Sequence, residues 1–452
     1  MGTETGTDDT DSPAQVPPAA SATAWLPRRA ALGAGMAALG ALGLLAAGCE
    51  RSPANPKISS LYQLQTQSQA TQAAAAAQAT PSYNVRSHGA FGDGRHDDTA
   101  AIQATIAAAA QAGGGTVLLP AGTYPVNGIT LAAGVDLRGE GRDNTSLRFA
   151  LDSGNVVTVP QVGFNRLADF QITYARAVTV GAAIHLDKAF TITIDGVFVN
   201  GGKGLAQDGI VLDQSTAIFV RDFNIYGCQG DGIRVQGPGG NDAYFAGGII
   251  NLGQTASGAG VHIQNFPNGA VNITDADILL GKYSLLVEGS NYLRFENTYF
   301  DSSDQGAVLQ SGHLITFANC WFSNRPGPGL HVGTVSGCSV VGGQAANCGG
   351  HGIHITDNAR YVSLAAVQVV GNNTQGNGSD GILVDNGAAY VTVQGCMVGH
   401  DPQVFGGPGQ NVGIHVASTA GSPYALVGNM VFGNTVAQVL DHGQGGYAAG
   451  NL

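Results

Sequence analysis

The chain has 452 residues, of which only 11% are charged and 69 are glycine, and its formal net charge is −12. That balance excludes nucleic acid and anionic membrane surfaces as partners held by bulk charge, and a polyanionic ligand would need a cation or a local basic patch. Length alone suggests two or three domains, but so much glycine with so little charge suits a turn-rich β protein.

Residues 1–29 are polar and end in Pro27-Arg28-Arg29, and 30–47 form an uninterrupted, mildly apolar run of 18 residues closing in Leu45-Ala46-Ala47-Gly48-Cys49. Twin arginines, a weakly apolar stretch and small residues before a cysteine read as an export signal over 1–49. The run is short for an uncleaved membrane span. The Leu-Ala-Ala-Gly-Cys ending resembles a bacterial lipobox, which implies lipidation at Cys49 and a body outside the cytoplasm, periplasmic or at the cell surface, anchored to a membrane. Residues 50–80 are rich in Ala, Gln, Ser and Pro without periodicity, the composition of a tether. The body is then 81–452.

Asp97 or Asp98 can cap a helix running to about Gln111, with Ile102 and Ile106 on one face and Gly113-Gly114-Gly115 ending it. Residues 116–124 read as the first strand. The phrase from Gly89 through Thr123, including Gly92-Asp93-Gly94 and Asp97-Asp98-Thr99, closely resembles the N-terminal signature of the pectate lyase superfamily. The resemblance implies a right-handed parallel β-helix of the kind found in glycan-active proteins and phage tailspikes. It is specific for fold and weak for reaction. The helix has a physical task there, since an uncapped first rung exposes strand edges and an apolar interior.

Beyond it one short phrase keeps returning. Asp208-Gly209-Ile210-Val211-Leu212 recurs as Asp231-Gly232-Ile233-Arg234-Val235, Gly260-Val261-His262-Ile263, Gly329-Leu330-His331-Val332, His351-Gly352-Ile353-His354-Ile355, Asp380-Gly381-Ile382-Leu383-Val384 and Gly413-Ile414-His415-Val416. Weaker copies centre on Ile184, Leu285 and Val308, and the spacings run from 22 to 32 residues. A second phrase, Val220-x-Asp222-Phe223-x-Ile225, keeps step with the first and hinges on Asp, Asn or Gly, which tolerate a left-handed turn. Period-2 alternation with no helical period between phrases predicts about three strands per repeat and an all-β solenoid of ten to twelve rungs after Val126. The repeats are too short for propeller blades. With Cys49 in the signal, five cysteines remain and none forms a Cys-x-x-Cys pair, which disfavours a zinc site. Cys320, Cys338 and Cys396 share the register of Phe223, Thr298 and Met430 and should face inward as small fillers.

In such a coil, residues of one phase stack about 4.8 Å apart on successive rungs. Because Ile233 and Val235 face in, Arg234 faces out, in a column predicted to hold His185, Val211, Arg234, His262, Leu286, Leu309, His331, His354, Leu383 and His415. Asp208, Asp231, His351 and Asp380 form a second column, just before the glycines. By resemblance to pectate lyases and polygalacturonases, the strand after the variable loop carries the catalytic face, so both columns line a groove. In the first cluster, Asp208 and Asp231 lie on adjacent rungs beside Arg234 and His262. Two such carboxylates raise one another's proton affinity or share a cation such as Ca²⁺. Abstracting C5–H of a uronate needs a base and a neutraliser for its carboxylate, roles open to Arg, His or a cation. The second cluster stacks His331 on His354 and sets His351 against Asp380 as an oriented general base. Equally, an Asp before Gly can simply bond turn amides.

Gly350-His351-Gly352 resembles a polygalacturonase element, but the aspartate pair of that family would fall where the chain has Gly327-Pro328-Gly329-Leu330. Its Arg-x-Lys element has no match around Asp380, so hydrolysis is the weaker enzymatic reading. The leading expectation is a lyase or epimerase on a uronic-acid-containing polysaccharide. A glycoside hydrolase at the second cluster and a non-catalytic glycan-binding or surface structural protein are the alternatives.

Overall fold

The computed structural model describes residues 80–323 and 326–452. The export signal with Cys49, and the linker up to residue 79, lie outside the described residues. Among the described residues no helix is long and apolar enough to cross a membrane.

The chain is an all-β, right-handed parallel solenoid. One typical turn runs through the strands Asp208–Asp213, Thr216–Arg221 and Asn224–Tyr226. First and second strands stack into a 26-stranded sheet and third strands into a 13-stranded one. The first of those thirteen is Gly122–Val126, leaving twelve beyond residue 126, at the top of the sequence estimate. The stretch expected as one first strand is two, Gly115–Leu119 and Gly122–Val126, and Ser82–Asn84 precedes both. The bend at Pro120-Ala121 turns the chain from one face of the coil to the next.

Two kinds of residue make the coil close. The hinges of the second phrase do adopt the left-handed conformation, with φ of 47° at Asp222, 48° at Asn297, 52° at Asn319 and 60° at Gly395. The glycines of the first phrase have a different cause. A Cβ at Gly209 would stand 2.3 Å from the carbonyl oxygen of Gly232, and one at Gly232 would stand 2.6 Å from Cγ2 of Ile250. No side chain fits between these backbones, so the phrase carries glycine wherever rungs approach this closely.

Inside, like residues stack on like. Phe295 lies on Phe317 with ring centroids 4.9 Å apart, Phe300 on Phe322 at 5.4 Å, and all four are fully buried. The cysteines are buried as expected, and Cys320 and Cys396 follow the hinges of the second phrase, Asn319 and Gly395. Cys338 sits instead on a second strand between Ile315 and Val362. On the last full rung the equivalent position is Asn429, while Met430 points to solvent.

The capping helix, α1, spans Thr99–Gln111 and buries Ile102 and Ile106. Its caps are divided between two aspartates. Asp97 accepts the Thr99 amide, whereas Asp98 accepts the amides of Phe91 and Gly92 and pins the preceding loop.

Candidate functional site

The outward column forms as the alternation requires, with one slip. Rung pairing runs His185, Val211, Arg234, His262 and Leu286, then Val308 rather than Leu309, and on through His331, His354, Leu383 and His415. Leu309 is fully buried. The weak copy centred on Val308 is centred one residue earlier, on Ala307, and a one-residue shift reverses every side chain of a strand.

Asp208, Asp231, Arg234 and His262 come together as one chain of contacts. Oδ1 of Asp208 accepts the Asp231 amide at 2.9 Å, and Oδ2 lies 2.5 Å from Nη2 of Arg234. Asp231 repeats the device one rung on. Its Oδ1 accepts the Ala259 amide at 2.9 Å, and its Oδ2 meets Nδ1 of His262 at 3.0 Å and Nη1 of Arg234 at 3.3 Å. The two readings of an Asp before Gly are therefore both true, one oxygen to each. Nε2 of His262 meets Glu288 Oε2 at 2.8 Å.

Where the sequence offered a shared Ca²⁺ at Asp208 and Asp231, the Arg234 guanidinium contacts both carboxylates. Among the described residues, no group of three or more His, Cys, Asp or Glu is arranged to hold a metal ion.

Burial raises the pKa of Asp208, with Arg234 acting in the opposite direction. For His262 burial works against the charge, but the hydrogen bonds and charges of Asp231 and Glu288 outweigh it, so its pKa is raised. Two carboxylates on one ring can both be satisfied only if both nitrogens carry protons. His262 is thus held as an imidazolium beside a guanidinium, at the centre of an acidic protein. Two buried polar atoms here have no hydrogen-bond partner, Nε of Arg234 and the Tyr174 hydroxyl, and Asp208 and Cys228 both influence the latter.

The second cluster departs from expectation. His331 and His354 do stack, with centroids 5.2 Å apart. The His351–Asp380 pair, however, is not a ring facing a carboxylate. Nδ1 of His351 accepts the backbone amide of Asp380 at 2.8 Å, so its proton resides on Nε2. The Asp380 carboxylate turns to the following rung, accepting the Val412 amide at 2.9 Å and meeting Nδ1 of His415 at 2.8 Å. His354 takes Asp385 at 3.1 Å, and Nε2 of His331 is 4.0 Å from Asp357. Burial first, and the neighbouring His354 second, lower the pKa of His331 and push that of His351 down to about 4. The apolar Leu286 and Val308 separate the two clusters by about three rung steps, roughly 14 Å.

Sequence reasoning missed Glu288, Asp385 and Asn155. Asn155 uses the same device, accepting the Ala182 amide at 2.9 Å and bonding His185 at 3.1 Å. Glu288 was within reach, because it lies two residues beyond Leu286 and so on the same face. One more step of the alternation finds it.

A pH prediction follows from His351. Its folded pKa lies below its ordinary 6.5, so the unfolded chain takes the proton first. Stability is present above about 6.5 and is lost as pH falls towards about 4, by on the order of 2–3 kcal/mol. His351→Asn keeps an acceptor for the Asp380 amide, as Asn155 does for Ala182, and cannot titrate. Denaturant unfolding at a series of pH values should show a shallower acid loss in His351→Asn; identical slopes would contradict it.

Comparison with known proteins agrees with this architecture. Mannuronan C5-epimerase AlgE2 of Azotobacter vinelandii is 50% identical over 74 residues, which is 15% of this chain and 7% of that protein. Alginate lyase 7 of the same organism is 65% identical over 46 residues, 10% of this chain and 5% of that protein. The chain therefore spans less than a tenth of the length of these curated relatives. The A-module of the Azotobacter vinelandii mannuronan C-5 epimerase AlgE4 superposes with a TM-score of 0.59 at 20% identity, covering 81% of this chain and all of that module. At that identity the likeness concerns the fold alone. The rhamnogalacturonase A/epimerase, pectate lyase-like family matches residues 82–354, more than half of the chain. The chain belongs to that family.

Proposed function

We propose that the protein is a polysaccharide-active enzyme that removes the C5 proton of a uronic acid, by β-elimination or by epimerisation, at the Asp208–Arg234–Asp231–His262–Glu288 cluster. The observation that carries this reading is the pairing of two cations, Arg234 and His262, with a partly exposed carboxylate, Glu288, on the outward face of neighbouring rungs. A uronate C5–H becomes acidic when the neighbouring carboxylate is neutralised, and Arg234 with His262 supplies that charge. The His262–Glu288 pair exchanges protons with the substrate, one partner able to take C5–H and the other to return or deliver a proton. Elimination then expels the 4-linked sugar and leaves a C4=C5 double bond, whereas epimerisation returns the proton to the opposite face. Asp208 and Asp231 hold the cations in place from below. The relatives named as a mannuronan epimerase and an alginate lyase support a uronate as substrate class.

The test uses the body with alginate and polygalacturonate in D₂O. Ultraviolet absorbance follows elimination, and deuterium at C5 follows epimerisation. Wild type should give one signal and His262→Asn should lose at least about a hundredfold in rate. Neither signal, with no new reducing ends, would overturn the enzymatic reading and leave a non-catalytic glycan-binding solenoid. New reducing ends without a double bond would favour the hydrolase.

Export is a further part of the proposal, resting on Arg28-Arg29, the 30–47 run and Cys49. Fractionation of cells should place the protein in the membrane fraction, facing outward; recovery in the cytoplasm would overturn it.

A further inference from the structure

The corner where second strands begin carries a row of large exposed side chains that the groove does not use. Tyr292, Leu314, Gly337, Tyr361 and Tyr390 occupy one register position on successive rungs, since the residues that follow them pair in sequence as Leu293, Ile315, Cys338, Val362 and Val391. The four side chains are exposed by 52%, 56%, 58% and 41%. Tyr361 stacks on Tyr390 with centroids 4.7 Å apart. Four rung steps make the row about 19 Å long, enough for several sugar units.

Every member is left-handed, with φ of 59° at Tyr292, 54° at Leu314, 82° at Gly337, 56° at Tyr361 and 57° at Tyr390. This conformation suits glycine and penalises bulky residues, and Gly337 shows that the coil accepts glycine here. The left-handed turn belongs to the coil, since Phe164, Thr191, Ala217 and Asp242 hold the same register on earlier rungs with φ of 60°, 55°, 56° and 48°; this row differs in turning three tyrosines and a leucine to water over five successive rungs. A contiguous apolar strip rimmed by polar groups marks a binding surface.

The rim identifies the ligand class. Arg360 lies 5.9 Å over the Tyr390 ring, Arg294 follows Tyr292 by two residues, and His313 precedes Leu314. Among the described residues neither arginine has an ion-pair partner, and the outward carboxylate on these second strands is Glu296. Next to the row runs a ladder of hydroxyls, Thr316, Ser339, Ser363 and Thr392, paired rung to rung. Aromatic faces suit sugar rings, hydroxyls suit sugar hydroxyls, and free guanidinium groups suit carboxylates. In a chain of net charge −12 this is a local basic strip.

We infer that the Tyr292–Tyr390 row is a second, non-catalytic binding strip for an acidic polysaccharide, separate from the Arg234 groove. It holds a long substrate at a second place on the coil and does not depend on the groove being catalytic.

Affinity electrophoresis of the full chain through native gels containing alginate, or dextran as the neutral control, tests this. Wild type should be retarded by alginate and not by dextran. The double variant Tyr361→Gly, Tyr390→Gly should fold, because glycine suits those φ values, and should bind alginate about tenfold or more weakly. Arg360→Met should weaken binding and flatten its salt dependence. Wild-type binding by the double variant would overturn the strip even if the groove turns over substrate. Retardation by dextran equal to that by alginate would overturn the acidic assignment, and no retardation of wild type by alginate would overturn the strip altogether.

Discussion

Arg234→Ala is expected to lower folding stability by about 3–5 kcal/mol, because breaking a buried ion pair strands the charge left behind. Here Asp208 loses its charged partner, while Asp231 keeps His262. The side chains of Asp208 and Asp231 are only 7% and 9% exposed, and the guanidinium is the cation they share. Each carboxylate keeps an amide donor, so the loss should fall short of two isolated buried charges. The pH dependence has a definite sign. Asp208 already has a raised pKa in the folded state, and removing Arg234 raises it further. The variant's deficit is therefore small below the ordinary carboxylate pKa of about 4 and grows as pH rises through the folded value. Adding Asp208→Asn should recover part of the loss, since Asn155 shows that an amide side chain serves the same bonding position. Denaturant unfolding of the single and double variants across pH checks this. A single variant as stable as wild type would mean the three side chains do not share their charge in the folded protein.

Phe317→Ala is the other large effect, with a loss of about 3–5 kcal/mol from the emptied volume. Phe317 is fully buried, stacks on Phe295 at 4.9 Å and meets Phe300 and Phe322 edge-on at 6.0 and 5.4 Å. In a solenoid each rung contacts only its neighbours, so the damage should stay local. Amide exchange should accelerate in the strands Ser290–Glu296, Ala307–Ala318 and Leu330–Val341, while α1 and the first turns keep their protection. Uniform acceleration along the whole coil would show instead that the solenoid unfolds as one unit.

These two variants also separate the levels at which the protein was legible. Phe317 precedes Asn319 by two residues, as Val220 precedes the hinge Asp222 in the repeated phrase, and the alternation of that phrase sets its face inward. The same logic placed Arg234, His262, His331, His354 and His415 in one outward column. It failed on a single rung, where Val308 and Ala307 are both apolar and nothing local chooses between them. It also could not explain the glycines of the first phrase, since the carbonyl that excludes a Cβ at Gly209 belongs to Gly232, on the next rung.

The amino-acid sequence by itself determined the architecture, the phase of each rung and the membership of each column. Those follow from period-2 alternation and from a repeat whose length is set by turns, both local properties of the chain. Partnership within and between columns was decided only by the tertiary structure. Asp380 reaches His415 and not His351, Glu288 closes on His262, and Arg234 bridges Asp208 and Asp231. Such choices depend on how far each side chain extends across the gap of about 4.8 Å between rungs and on which oxygen a backbone amide has already claimed.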